Sequence, residues 1–149
     1  MAATPRADFY LVSASDERTR LRTACRLAEK AYDQGLSVTV LARNPAEATA
    51  FDEMLWTFSD RAFVPHGLCP AEATVAEATP VLISSGELPA SHHDVLINLG
   101  AEVPDDFVAY GRICEVVASD KRSRGDARKR WRLYRDAGVA PNSHELSGG

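Results

Sequence analysis

The chain has no run of the roughly 18 consecutive apolar residues that a membrane-spanning helix needs. Its opening, MAATPRADFY, lacks the basic-then-apolar order of a secretory signal, so the expected location is the cytoplasm. Cysteine is scarce: Cys25, Cys69 and Cys114 are far apart, with no CxxC spacing. An odd, scattered set supports neither a disulfide framework nor a zinc site, and Cys25 and Cys114 read as small buried apolar residues. Glycine is missing where a nucleotide-binding fold would need it. After the first apolar run comes SASDERTR, with neither GxGxxG nor GxxxxGK(S/T). Without glycines the backbone cannot approach a pyrophosphate closely, and Asp16 and Glu17 would oppose one.

Catalytic patterns are equally thin. Asp52 and Glu53 fall inside a helical stretch rather than at the end of a buried strand. His92 and His93 are neighbours before a strand, where adjacent side chains point to opposite faces and do not readily share a metal. LISSGE places Ser84 and Ser85 at a strand end without the GxSxG elbow. The reading is a binding module with no catalytic residue, no metal and no cofactor.

What remains describes one domain. A chain of 149 residues with 45% apolar and 26% charged residues suits a single globular unit. DFYLVS (8–13), SVTVLA (37–42), PVLISSG (80–86), DVLINLG (94–100) and ICEVVA (113–118) read as strands, and RAFVPHGL (61–68) as a short extended segment. Ser13 or Ser15 caps a first helix that Gly35 ends, PAEATAFDEMLW (45–56) is a second, and 119–137 is the last. Strand–helix alternation predicts a single α/β, Rossmann-like domain with a mainly parallel sheet and helices on both faces. The order breaks over 69–93, so an antiparallel edge strand is expected there. The predicted divisions are an extension at 1–7, the domain at 8–140 and a flexible tail at 141–149.

Charge is concentrated. From Asp120 to Arg135 eight Lys/Arg stand with two Asp, a net of +6, so the rest carries −10 within a formal total of −4. A mostly acidic surface is poorly suited to wrapping DNA non-specifically, but one basic patch suits a small anionic ligand. At about 100° per residue, Arg124, Arg128, Trp131 and Arg135 share one arc of the last helix, with Arg132 beside it. An aromatic among guanidinium groups suits either a stacked base between phosphates or an acidic peptide with an apolar side chain and a free carboxylate. A second group, DEMLWTFSDRAFVPHGL (52–68), brings Trp56, Phe58, Phe63 and Val64 around one loop, either as a core plug or as a protein-binding patch.

These blocks carry a family resemblance. FYL, FDEMLWTFSDRAFVPHGL, HDVLINLG and RKRWRLYRDAG together resemble the chi subunit of bacterial DNA polymerase III, over about residues 8–140. The resemblance implies a non-catalytic subunit linking the clamp loader, through its psi subunit, to the acidic, Phe-terminated C-terminal tail of the single-stranded DNA-binding protein. It implies that Arg128 takes the tail carboxylate, with Arg124, Trp131, Arg132 and Arg135 around it and Val117 lining an apolar pocket. Trp131 stands where the family has Tyr. Trp56, Phe63, Val64, Pro65 and His66 match the psi-contacting side. DNA would be reached mostly indirectly. The alternative is direct binding of single-stranded nucleic acid by the basic helix 119–137.

Overall fold

The computed structural model describes residues 5–13, 15–59, 63–69 and 79–146. In chain order these form β1 (Arg6–Val12), α1 (Glu17–Asp33), β2 (Val38–Leu41), α2 (Pro45–Thr57), β3 (His66–Leu68), β4 (Val81–Ser84), β5 (Val95–Asn98), a 3-10 turn (Phe107–Ala109), β6 (Arg112–Val117), α3 (Lys121–Asp136) and β7 (Asn142–Leu146). The seven strands make one sheet in the order β3-β4-β2-β5-β6-β1-β7. Every described pairing is parallel.

Central strands buried on both faces are near-continuous apolar runs, as VLIS and VLIN are here. Alternate residues divide between two cores. Val38, Val40, Val81, Ile83, Val95, Ile97, Cys114 and Val116 meet α1 and α2 on one face. Phe9, Leu96, Ile113 and Val117 meet Ala127 and Tyr134 of α3 on the other. Burial pushes the thiols of Cys25 and Cys114 up to about 12, as expected for small core residues.

Four expectations are corrected. No antiparallel edge strand occurs among the described residues, since β3 and β7 both pair in parallel; residues 70–78 lie outside them. Over 142–146 the expected flexible tail is instead strand β7, registered on β1 from Asp8↔Asn142 to Val12↔Leu146. The first strand begins at Arg6, inside the expected extension 1–7. The first helix is capped by Asp16, whose carboxylate accepts from Thr19 N at 2.9 Å, not by Ser13 or Ser15.

Candidate peptide-binding groove and apolar partner face

The last helix is fixed before it can present anything. Asp120 caps its start by accepting from Ser123 N at 3.0 Å. At its end Gly138 adopts φ +87, and Val139 N donates to Tyr134 O at 2.9 Å. Its inner face is locked to the sheet by a buried polar knot around Glu115 of β6. Glu115 accepts from Arg130 Nε at 2.9 Å, Tyr134 Oη at 2.7 Å and Asn98 Nδ2 at 3.0 Å. Arg130 also donates to Ala101 O at 3.2 Å. Burial and the Glu115 charge push the Tyr134 phenol far up, so it stays a neutral donor.

This lock decides which face of α3 remains available. Trp131 is half-buried and leans on Phe9 of β1, ring centroids 5.1 Å apart. Beside them opens a cavity of about 390 Å³, lined by Phe9, Leu11, Ala127 and Trp131 with Arg124, Arg128 and Ser143 at its edges. The floor comes from β1, one wall from α3 and the other from β7. Arg128 is exposed and has no ion-pair partner among the described residues. Arg124 differs: its Nε donates to Ala118 O and its Nη2 to Val12 O, both at 3.0 Å. It ties the helix to the ends of β6 and β1 while standing beside the pocket. Arg132 and Arg135 lie exposed further along the helix, outside the lining. Val117 is 1% exposed and sits in the core cluster beneath rather than on the pocket surface.

Sequence reasoning missed Phe9, Leu11, Ser143 and Glu115. The first two carried a signal, since β1 alternates apolar residues toward α3. Glu115 also signalled itself, as a carboxylate inside ICEVVA needs a buried cationic partner. Ser143 fell in a segment read as a tail.

The second group lies at the other edge of the sheet. Trp56, at the end of α2, is 49% exposed, and Phe63 is 67% exposed, with ring centroids 5.7 Å apart. Leu68 of β3 is exposed as well. Beneath them the His66 side chain is fully buried, its ring 4.2 Å from that of Trp56. Its Nδ1 lies 2.6 Å from Val64 O and its Nε2 2.9 Å from Asp52 O. Val64 is buried in the core, and Pro65 is half-buried. Phe58 packs on the core, so the loop's aromatics split between plug and surface. Trp56 and Phe63 are surface.

The crevice at the carboxyl ends of β5 and β6, where α/β sheets commonly bind ligands, is filled instead with ion pairs. Arg20 reaches Glu17 at 3.1 Å, Glu47 at 3.0 Å and Leu99 O. Arg43 reaches Glu17 at 2.6 Å and Glu47 at 2.7 Å. A void of only about 50 Å³ remains between these groups and Arg130. No described helix is long and apolar enough to cross a membrane.

Comparison with known proteins gives a consistent set. The family model described as DNA polymerase III chi subunit, HolC, matches residues 4–142. The chain is 38% identical to DNA polymerase III subunit chi of Pseudomonas aeruginosa over 141 residues, covering 95% of this chain and 96% of that one. It is 34% identical to the subunit of the same name from Haemophilus influenzae, covering 87% and 89%. The Escherichia coli subunit is 27% identical, with coverage of 92% and 95%. Among solved structures, the C-terminal domain of Saccharomyces cerevisiae Dbp5 superposes with a TM-score of 0.60 at 11% identity, covering 98% of this chain and 92% of that one. That likeness concerns the fold alone.

Proposed function

The chain belongs to the DNA polymerase III chi-subunit family, accessory rather than catalytic parts of the replication machinery, and on that basis we propose that it is a two-sided connector. The groove between α3 and β1 binds the acidic, Phe-terminated tail of the single-stranded DNA-binding protein, and the Trp56–Phe63 face binds psi or another clamp-loader component. One observation carries the first half. The 390 Å³ cavity has an apolar floor and a Trp wall, with the guanidinium of Arg128, unpaired among the described residues, at its rim. A phenylalanine side chain fits such a floor, and the planar fork of Arg128 matches the carboxylate on the same residue.

Trp131 weighs against the nucleic-acid alternative. Its ring leans on Phe9 and walls one pocket, a place for a single side chain or base rather than a platform for the successive stacked bases that strand binding uses. The second half is supported by paired exposed aromatics, the residue types that anchor protein interfaces. The two sites flank β7 and β3, the opposite edges of the sheet. Six strand spacings separate these edges by about 29 Å, so both partners have room at once.

The test is competition. A labelled acidic peptide ending in phenylalanine, bound to the full chain, is challenged with unlabelled peptide and with an oligothymidylate of similar length. Displacement by peptide at far lower concentration is the expected result. Equal or better displacement by the oligonucleotide would transfer the site to nucleic acid.

A further inference from the structure

The groove is electrically lopsided. In the β1–β7 ladder Phe9 is paired with Ser143 and Leu11 with Glu145. Paired residues of a parallel ladder project to the same face, and Phe9, Leu11 and Ser143 all line the pocket. Glu145 therefore stands on the pocket side, one strand outward from Leu11, about 4.8 Å away along the backbone pairing. It is exposed, and no ion pair or hydrogen bond engages its carboxylate among the described residues. The facing wall carries Arg124 and Arg128, with Arg132 and Arg135 beyond. A ligand across this groove meets cations on the helix side and a fixed anion on the β7 side.

We propose, resting on the reading that this groove takes a peptide's acidic C-terminal end, that Glu145 is a specificity-determining residue that turns away polyanions running through the groove, single-stranded nucleic acid above all. A peptide that ends in the pocket places its terminal carboxylate and its acidic residues on the arginine side. Nothing of it has to pass Glu145. A nucleic-acid strand has no end there. With one base in the pocket and a phosphate on Arg128, the neighbouring phosphate on the far side is carried toward β7 and meets a like charge at its edge. Discrimination is a difference of affinities, and a fixed repulsive group acts on that difference even where it adds nothing to the preferred ligand.

The experiment measures two affinities at low salt for the full chain: the acidic Phe-ended peptide and an oligothymidylate. The variants are Glu145→Gln, Glu145→Lys and, as a control for net charge, Glu53→Gln on the other side of the sheet. Glu145→Gln should raise oligonucleotide affinity about threefold while moving peptide affinity less than about twofold. Glu145→Lys should raise oligonucleotide affinity about tenfold or more, and adding Trp131→Ala should abolish the gain. Glu53→Gln should alter the ratio of the two affinities little. Equal gains for both ligands, no gain, or a gain indifferent to Trp131→Ala would each overturn the assignment. Failure of wild type to bind the peptide would sink the tail reading instead. The oligonucleotide arm would then still decide on Glu145: a Trp131-dependent gain supports it, and its absence overturns it.

Discussion

Arg124 and Arg128 are one helical turn apart and share an arc, yet the structure gives them different work. Arg124 spends its Nε and one Nη on the carbonyls of Ala118 and Val12, whereas Arg128 faces solvent unpaired among the described residues. Arg124→Ala should therefore lower unfolding free energy by about 1–3 kcal/mol, because two carbonyls lose a charged donor. Arg128→Ala should leave it within about 0.5 kcal/mol. Urea denaturation of both variants checks the contrast, and equal destabilisation would contradict it. Glu115 is the stronger case. Removing it leaves Arg130 buried without its counter-charge, so Glu115→Ala should cost about 3 kcal/mol or more. Helical periodicity put Arg124 and Arg128 on one arc but was blind to this division of labour. Hydrogen bonds to carbonyls more than 100 residues away, as from Arg124 to Val12, leave no local trace.

At the scale of elements, α1, α2 and the last helix were legible from apolar spacing, from Pro45 at the start of α2 and from Gly35 and Gly138 past the ends of the other two, whereas the cap of α1 was misread. β7 was not. NSHEL has neither the apolar run nor the alternation of a core strand, because it is an edge whose residues are mostly half-buried or exposed. It is held by registry with β1 and by His144, whose Nε2 lies 2.9 Å from Asp8 Oδ1 and whose ring stacks on Tyr10 at 5.0 Å. Since Ser143 forms a wall of the pocket, deleting 142–149 should weaken tail-peptide binding about tenfold, read by peptide titration. Unchanged affinity would remove β7 from the site. At the opposite edge, Trp56→Ala and Phe63→Ala should each weaken a psi-like partner by about 2 kcal/mol while leaving peptide binding intact. Both side chains are largely outside the core, so circular dichroism should show folded variants. Unfolding would mean that they serve the core rather than an interface.

At the scale of the whole molecule, the parallel α/β architecture was readable because strand and helix periods alternate cleanly over most of the chain. The sheet's order was not, since the non-sequential β2-β5-β6-β1 centre is set by packing on two faces. Acid stability follows from two buried carboxylates. Burial pushes the Asp8 carboxyl up, but hydrogen bonds with His144 and Arg112 and the charges of Arg112 and Arg6 outweigh it and hold it below 3.8. Burial also raises Glu47, yet the Arg43 amide and the Arg20 and Arg43 guanidinium groups bring it below 4.5. Depressed carboxylates stabilise the fold above their unfolded pKa values and lose that contribution as pH falls through the folded ones. Unfolding free energy should thus be flat in these groups near neutrality and fall below about pH 4.5. Asp8→Asn should flatten part of the acid limb. The ion-paired crevice over β5 and β6 likewise leaves no room for a nucleotide, and calorimetry with ATP should show no saturable binding at micromolar concentration.

On the proposed reading, Arg128 takes the carboxylate of a peptide's last residue at the mouth of the apolar pocket. The direct measurement is a double cycle by calorimetry: wild type and Arg128→Ala, each with the acidic Phe-ended peptide and with its C-terminally amidated form. Arg128→Ala alone should weaken binding about 10- to 100-fold, since a hydrogen-bonded charge pair contributes about 1.5–3 kcal/mol. Arg128→Lys should recover only part, supplying charge without the fork. Amidation should reproduce most of the loss in wild type and add little in Arg128→Ala, the non-additivity of two groups in direct contact. Independent, additive losses from amidation and from Arg128→Ala would contradict the claim and move the carboxylate away from Arg128.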